Sequence, residues 1–155
     1  HELRHWIGTL PSTVWKVGVF VNEAPAHVTE IAEMLHLDVV QLHGDEPPED
    51  FPDRLRVWKA FQVHADFRFA DLDRYPAEAV LLDGPYGGSG RNFDWSLASG
   101  ISRNVIVAGG LDAANVQLAI DRMHPWGVDA CSRIESSPGK KDRALMAQFL
   151  KAALL

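Results

Sequence analysis

Residues 81–95 read LLDGPYGGSGRNFDW, in which two leucines lead straight into one carboxylate, Asp83. The apolar run begins at Ala79, and such a run is typical of a strand covered on both faces. Four glycines within 84–90 follow the aspartate and predict a flexible loop beside it. A carboxylate at an apolar strand end is partly desolvated, which raises its pKa and suits it to donate a proton. The stretch therefore predicts a general acid at Asp83, with a helix-capping or ion-pair role as the alternative.

Apolar runs alternate with amphipathic stretches along the rest of the chain. The predicted strands are 15–22, 39–43, 56–62, 79–83, 104–108 and 128–132. The predicted helices lie near 26–36, 48–55, 66–74, 94–99, 113–123 and 140–153. Parallel strands need crossover connections, which are usually helices, so the pattern predicts an α/β fold. Repetition alone leaves two architectures open, a closed (β/α)8 barrel and an open doubly wound sheet.

Composition limits the class of protein. The chain has 155 residues, of which 46% are hydrophobic, and no linker interrupts it, so we expect one domain over 1–155. A formal net charge of −6 disfavours nucleic-acid and anionic-membrane partners. No apolar run approaches the roughly 18 residues of a membrane helix. The single cysteine fits a reducing cytoplasm, and no metal-ligand spacing is present, so no metal is expected.

Polar or glycine residues end every predicted strand: Asn22, His43-Gly44, Gln62, Asp83-Gly84, Gly109-Gly110 and Ser132-Arg133. Because the carboxyl ends of parallel strands meet at one edge, these ends predict a shared catalytic rim, with ordinary polar turns as the alternative. His43 is either a ligand contact or a hydrogen-bonded rim histidine. Asp129 is placed to face the same mouth. Asp45 and Glu46 lie in a turn, and we expect them to be solvated.

Two turns predict a phosphate site. The first, VAGGLDAAN at 107–115, joins a strand to two glycines and a helix start, for which Asp112 is the expected N-cap. Glycines let backbone N–H groups approach an anion, and a helix N-terminus adds a favourable dipole. The second, ACSRIESSPGKK at 130–141, offers hydroxyls and Arg133. Tight turns without a ligand are the alternative, and the GxGxxG fingerprint of dinucleotide binding is absent.

Five motifs together resemble one family. They are VGVFVN (17–22), QLHGDEPPE (41–49), LLD with GGSGRNFDW (81–95), AGGLDAANV (108–116) and VDACSRIESSPGKKD (128–142). In order and spacing they are similar to phosphoribosylanthranilate isomerase over almost the whole chain. The resemblance implies a (β/α)8 barrel of tryptophan biosynthesis that needs no cofactor. It also implies an Amadori rearrangement of N-(5-phosphoribosyl)anthranilate to the carboxyphenylamino-deoxyribulose phosphate.

The resemblance implies a role for each site residue. Asp83 is the general acid that protonates the furanose ring oxygen, and the glycine loop beside it closes over the sugar. The expected substrate- and phosphate-binding residues are His43, Gly88, Gly109, Gly110, Asp129, Ser132 and Arg133. The expected partner is a small phosphosugar, and the expected form is a monomer or homodimer in the cytoplasm.

Two family motifs are missing from the sequence. Neither the KICG-type motif with the catalytic cysteine nor the arginine that meets the anthranilate carboxylate occurs here. We therefore expect a barrel that lacks its first two strands and first helix, and no activity from these 155 residues alone. The family often reads VSSG where this chain has Cys131-Ser132-Arg133, which places an arginine at a phosphate-turn glycine. Because its neighbours match the phosphate turn, Cys131 is not expected to be the base.

Two rival functions remain. A barrel enzyme of the indoleglycerol-phosphate synthase type uses a lysine as general acid, and no predicted strand here ends in lysine. A rival of another class is a non-catalytic fragment or subunit that binds phosphosugars or completes a barrel with a second polypeptide.

Overall fold

The computed structural model describes residues 2–84 and 101–154 of the chain. The helices are α1 (Glu2–Ile7), α2 (Pro25–Leu35), α3 (Val116–Met123) and α4 (Arg143–Ala153). The strands are β1 (Val17–Phe20), β2 (Val39–Leu42), β3 (Val57–Gln62), β4 (Ala79–Asp83), β5 (Asn104–Val107), β6 (Gly127–Val128), β7 (Glu135–Ser137) and β8 (Lys140–Lys141). Short 3-10 helices cover Pro48–Asp50, Phe69–Arg74 and Ser132–Ile134.

Six of these strands form one sheet in the order of the sequence, β1 to β6. The pairs β1–β2, β2–β3 and β5–β6 run parallel, with Val17 opposite Val39 and Val107 opposite Val128. Every residue of β2 is buried, as the continuous apolar run predicted for a strand covered on both faces. The prediction of an α/β fold with a parallel sheet is confirmed.

Contacts group the chain into two compact units. Unit 1 comprises His1–Ala60 and Asp71–Ala79, and unit 2 comprises Phe61–Ala70 and Val80–Leu155. The core of unit 1 includes Phe20, Val28, Ala32, Val40, Leu42 and Val57. Buried residues of unit 2 include Leu81, Leu82, Val107, Leu111, Val116 and Ala119. The single-domain organisation over 1–155 stays a prediction.

Within the described residues β1 is an edge strand, and apolar side chains in and just after it are exposed. β1 stands first in the strand order, and Val19 and Val21 expose 59% and 64% of their surface. A cavity of about 430 Å³ lies against this strand within unit 1, and Trp6 and Trp15 contribute to its lining. Exposed strand edges of this kind invite pairing with a further strand.

Two predicted helices in the middle of the chain are largely wrong. At 48–55 only a 3-10 turn forms, at Pro48–Asp50, because Pro52 has no N–H for a helical bond and disfavours helical backbone before it. At 66–74 the chain first makes a turn in which Phe67 N–H donates to His64 O at 2.9 Å, and only Phe69–Arg74 is helical, as a 3-10 helix.

The last predicted strand and helix also have different bounds. β6 ends at Val128, so the strand predicted at 128–132 is wrong beyond its first residue. The chain turns instead through the Ser132–Ile134 3-10 helix into the β7–β8 hairpin, where Gly139 adopts a φ of 78°. α4 begins at Arg143 rather than at 140, because the Asp142 side chain accepts the N–H groups of the first turn.

Candidate functional site

Asp83 is the last residue of β4 and is less buried than the residues before it. The four residues before it are buried and Asp83 itself is half-buried. Its carbonyl accepts the Val63 N–H at 2.8 Å, which fixes the strand end. The predicted general acid therefore occupies a defined position at the end of an apolar strand.

Gly109 brings the backbone after β5 against the Asp83 carboxylate. Its φ is 87°, which a residue with a side chain rarely adopts. A Cβ built on Gly109 would lie 2.5 Å from Asp83 Oδ1 and 2.5 Å from Gly84 N. Only glycine fits this position, so the structure joins two of the predicted site residues directly.

Side-chain hydrogen bonds within the segment from Gly110 to Asn115 hold it in a turn. The Asn115 side-chain amide donates to Gly110 O at 2.9 Å, and its Oδ1 accepts the Asp112 N–H at 2.9 Å. Asp112 Oδ1 accepts the Ala114 N–H at 2.9 Å. Asp112 therefore caps this turn, and its predicted role as the helix N-cap is wrong because α3 begins only at Val116.

An ion pair connects the two predicted phosphate turns. Arg133 Nε lies 3.6 Å from Asp112 Oδ2. The two side chains are 45% and 28% exposed, so water reaches the pair. A guanidinium has five N–H donors, and this contact is made through Nε. Arg133 therefore stands beside the glycine turn that follows β5.

Asp129 and Ser132 follow β6 in the same unit. The Asp129 N–H donates to Val107 O at 2.8 Å, so Asp129 lies beside the last residue of β5. Both Asp129 and Ser132 are exposed. Unit 2 therefore contains Asp83, Gly109, Gly110, Asp129, Ser132 and Arg133. The remaining predicted glycine, Gly88, and the helix predicted at 94–99 lie outside the described residues.

Cys131 is exposed and contacts the β7–β8 hairpin. Lys141 Nζ donates to Cys131 O at 2.9 Å and lies 3.3 Å from Cys131 Sγ. The same ammonium donates to Glu135 Oε1 at 2.7 Å. The Lys141 and Gly139 hydrogen bonds hold the pKa of Glu135 below its usual value, and the bond to Glu135 raises the pKa of Lys141. Cys131 is thus part of a hairpin contact.

His43 lies in unit 1, directly after β2. Its ring is half-buried, and its Nδ1 lies 3.1 Å from Gln41 Nε2. The His43 N–H donates to Phe20 O at 2.8 Å, which ties the end of β2 to the end of β1. His43 is thus hydrogen-bonded, and its role as a ligand contact stays a prediction.

A buried ion pair beside His43 was missed by the sequence reasoning. Lys59 Nζ lies 3.2 Å from Glu46 Oε2, and the two side chains are 3% and 5% exposed. Glu46 Oε1 accepts the Asn22 N–H at 2.7 Å, and Glu46 Oε2 accepts the Gly44 N–H at 3.0 Å. The expectation that Glu46 is solvated is wrong, because three donors hold its carboxylate inside. The available signal was a lysine within the apolar stretch VWKAF of β3.

Metal-binding clusters and membrane helices are both absent from the part of the chain that the structure describes. Residues 2–84 and 101–154 contain no group of three or more His, Cys, Asp or Glu side chains placed to hold a metal ion. In the same ranges, no helix combines the length and the apolar character needed to cross a bilayer.

The fold and the strand-end residues define the class of protein. It is an α/β protein with a parallel sheet, in which a half-buried carboxylate and two linked turns follow the strands. The family model for N-(5'-phosphoribosyl)anthranilate (PRA) isomerase matches residues 2–152. The chain belongs to this family.

Individual relatives agree with the family match. The N-(5'-phosphoribosyl)anthranilate isomerase of Solibacter usitatus is 61% identical over 142 residues, which are 89% of this chain and 71% of the relative. A crystal structure of phosphoribosyl anthranilate isomerase in complex with reduced 1-(o-carboxyphenylamino)-1-deoxyribulose 5-phosphate aligns with a TM-score of 0.81 and 35% identity, over 99% of this chain and 78% of the other. A structure of monomers generated from the dimeric isomerase of Thermotoga maritima aligns with a TM-score of 0.79 and 36% identity, over the same shares.

Proposed function

We propose that the chain isomerises N-(5'-phosphoribosyl)anthranilate in tryptophan biosynthesis. Family membership supports the reaction, and one observation supports the site: the Asp83 carboxylate lies against Gly109, in the unit that also contains the Asp112–Arg133 pair. An acid and an anion-binding turn are the two features that ring opening of a phosphorylated sugar requires.

Asp83 acts as the general acid. It donates a proton to the furanose ring oxygen, the C1–O bond breaks, and the anthranilate nitrogen forms an iminium with C1. A general base then removes the proton from C2, and the resulting enolamine becomes the ketone. Substrate and product are isomers in which C1 is reduced as C2 is oxidised, so no external electron acceptor enters. A half-buried carboxylate at a strand end fits this role.

The substrate phosphate binds at the two turns of unit 2. Backbone N–H groups of Gly109 and Gly110 and of the Ser132–Arg133 turn are the proposed donors, with Asp129 beside them. Arg133 adds a charge-assisted bond from its guanidinium while Nε faces Asp112. His43 and Gly88 complete the proposed substrate contacts, on the strength of the family resemblance.

Titration with inorganic phosphate tests this site. We expect Arg133→Ala to weaken phosphate binding by about 1.5–3 kcal/mol, the range for a bond to a charged group. Arg122→Ala on α3 is the matched control, because it removes an exposed arginine of the same unit. Equal affinities for the parent and Arg133→Ala would contradict the role of Arg133.

The six parallel strands belong to an eight-stranded (β/α)8 barrel in this proposal. The edge position of β1 supports it, because no strand pairs with its outer side among the described residues. The family's cysteine and arginine motifs do not occur in these 155 residues. The chain alone is therefore proposed to bind phosphate without isomerising the substrate.

A fusion experiment tests the whole proposal. An extended chain is made by joining the family's cysteine-bearing segment before His1. In a matched variant of this extended chain, that cysteine is replaced by alanine. We expect turnover from the extended chain and little from either the alanine version or the 155-residue chain. An inactive extended chain that still binds phosphate would favour the rival, a phosphosugar-binding subunit. Turnover by the short chain would overturn the proposed need for the segment.

The lysine-acid rival has less support from the structure. Lys59 lies inside β3, and its ammonium is directed to Glu46 and to the backbone carbonyl of Gly44 at 2.6 Å. A proton donor has to reach the substrate, and this ammonium is buried. Dimerisation and a cytoplasmic location stay predictions, to be checked by sedimentation and by cell fractionation.

A further inference from the structure

The proposed mechanism makes no use of the Lys59–Glu46 pair, although it is the buried ion pair closest in sequence to His43. The Lys59 ammonium donates to Gly44 O at 2.6 Å and to Leu42 O at 3.4 Å, the two carbonyls that flank His43. It also donates to Ala60 O at 3.1 Å within its own strand. One side chain thus holds both neighbours of a proposed substrate contact.

Glu46 extends this connection to the end of β1. It accepts the Asn22 N–H at 2.7 Å, and Asn22 Oδ1 accepts the Asp45 N–H at 2.7 Å. Asn22 has a φ of 53°, a strained value that surrounding bonds have to maintain. Gly44 packs so closely on the Asn22 side chain that an added Cβ would overlap it. The turns after β1 and β2 are therefore locked together through Glu46.

Stability alone does not account for such a pair. Removing two charges from water is costly, and replacing both members of a buried pair by neutral residues is often neutral or stabilising. Most of what the pair provides is a fixed geometry, because each charged atom has several directional backbone partners.

We propose that Lys59 and Glu46 are positioning residues that hold the His43 turn in its binding geometry. This inference rests on the proposed function, in which His43 contacts the substrate. A misplacement of about 1 Å at a substrate contact costs up to about 100-fold in rate. The pair acts through the backbone on either side of His43 and does not touch the substrate.

The test separates position from stability. Lys59→Met and the double variant Lys59→Met with Glu46→Gln are made in the extended chain and assayed well below the melting temperature of each. The single variant leaves a buried unpaired carboxylate, so it melts lowest, and the double variant recovers part of the loss. We expect kcat/KM to fall about 10- to 100-fold in both variants, while the dissociation constant for inorganic phosphate stays within twofold. A purely structural pair predicts that kcat/KM recovers with the melting temperature, and that result would overturn the inference.

A second ion pair of unit 1 provides the control. Arg56 donates to Glu78 through Nε at 2.7 Å, before β3 and β4 begin, and neither residue contacts the His43 turn in the bonds described. The variant Arg56→Met with Glu78→Gln should leave kcat/KM within about twofold, as expected for a surface pair. An equal loss in this control would also overturn the inference.

Amide hydrogen exchange decides the inference independently of turnover. We expect faster exchange at Asn22 and Gly44, whose N–H groups donate to Glu46, in the double variant of the 155-residue chain. Exchange at Ala108, which donates to Leu82 O in unit 2, should stay the same. An inactive extended chain, together with faster exchange in the double variant, contradicts the proposed function alone. Unchanged exchange at Asn22 and Gly44 contradicts the positioning role.

Discussion

Two ion pairs include a residue from a turn that follows a strand of this sheet, and they differ in their access to water. Lys59 and Glu46 are 3% and 5% exposed with a 3.2 Å contact, whereas Arg133 and Asp112 are 45% and 28% exposed with a 3.6 Å contact. The buried pair is surrounded by backbone donors and acceptors of its own unit. The exposed pair lies next to two glycines and is open to solvent. We propose that the first arrangement fixes the backbone and that the second keeps a cation available to a ligand.

The difference shows why charge at a strand end is a poor guide to function by itself. A screened, exposed pair contributes about 0–1 kcal/mol, so a ligand phosphate competes with it easily. A buried pair that loses one partner costs about 3–5 kcal/mol, so no ligand displaces it. Burial, which the sequence shows only indirectly, separates the proposed binding residue from the proposed positioning residues.

The largest effect is expected from Asp83→Asn. Removal of a positioned general acid typically lowers the rate by about 10²–10⁴-fold. In the extended chain kcat should fall by this factor, while phosphate affinity stays close to that of the parent, because the phosphate turns are unchanged. Asp121→Asn on the exposed face of α3 is the control and should leave kcat unchanged. Near-normal turnover by Asp83→Asn would show that Asp83 is not the general acid.

Glu46→Gln tests the buried ion pair through the pH dependence of the free energy of unfolding. Burial opposes ionisation of Glu46, but the Asn22 N–H and the Lys59 ammonium outweigh it and hold its pKa below the usual 4.5. A depressed folded-state pKa gives stability that is complete above the unfolded value and is lost as pH falls through the folded value. At neutral pH the substitution should lower the free energy of unfolding by about 3–5 kcal/mol, since Lys59 loses its partner.

Urea unfolding of the parent and of Glu46→Gln measures this dependence. As the pH falls below the usual 4.5, Glu46 takes up its proton first in the unfolded parent and only at lower pH in the folded parent, so the two unfolding free energies should converge. A difference that stays constant from neutral to acid pH would show that the pKa of Glu46 is the same in the folded and the unfolded protein, and would contradict its lowered value.

Two glycines with similar backbone provide a sharper comparison at the exposed site. Gly109 and Gly139 have φ values of 87° and 78°, so alanine at either costs about 1–2 kcal/mol in strain. Only at Gly109 would the new Cβ collide, with Asp83 Oδ1 and Gly84 N, whereas Gly139 has no atom within 4 Å of that point. Overlap of this kind adds about 1–3 kcal/mol. Gly109→Ala should therefore unfold at a lower denaturant concentration than Gly139→Ala and should also lose turnover.

Equal midpoints for the two variants would contradict the close approach of Gly109 to Asp83. If Gly109→Ala lost stability but kept its turnover, the activity of the site would not depend on Gly109. The comparison needs no ligand for its first part, because the unfolding midpoint is measured on the 155-residue chain.

Much of the sheet was predictable because its strands are short apolar runs. Ala79–Asp83 has the predicted bounds, and Val39–Leu42 differs from the prediction by one residue. The prediction failed where local bonds compete with periodicity. The apolar start of 128–132 leads into a 3-10 turn and a hairpin, since the Ile134 carbonyl accepts the Asp142 N–H at 2.9 Å and draws the chain back on itself.

The candidate site was predictable to a similar extent. The approach of Gly109 to Asp83 follows from a carboxylate and a glycine turn at neighbouring strand ends, which is visible in the sequence. The Asp112–Arg133 contact joins residues 21 positions apart and depends on the side-chain directions of two turns. The burial of Glu46 depends on Lys59 crossing from β3, and no periodicity in the turn around Glu46 indicates it.

The smallest effect is expected from Cys131→Ser, which tests whether the general base lies beside the exposed Asp112–Arg133 pair. A base must come within about 2.6–3.2 Å of the atom that loses the proton, directly or through one water. Cys131 follows β6 beside the proposed phosphate turn, where Lys141 Nζ contacts both its carbonyl and its sulfur. A serine hydroxyl keeps a hydrogen-bonding atom for Lys141, so the free energy of unfolding should change by at most about 0.5 kcal/mol.

Turnover of the extended chain should likewise stay within about twofold, which corresponds to a similar free energy. The sensitive comparison uses the version of the extended chain in which the added cysteine is replaced by alanine. We expect this alanine version to be inactive whether residue 131 is cysteine or serine. If the alanine version turned over and Cys131→Ser abolished that turnover, the sulfur at the phosphate turn would be the base. The turn around Arg133 would then contain a reacting group as well as the proposed phosphate site. The proposed distinction between binding residues and positioning residues would then need to be revised.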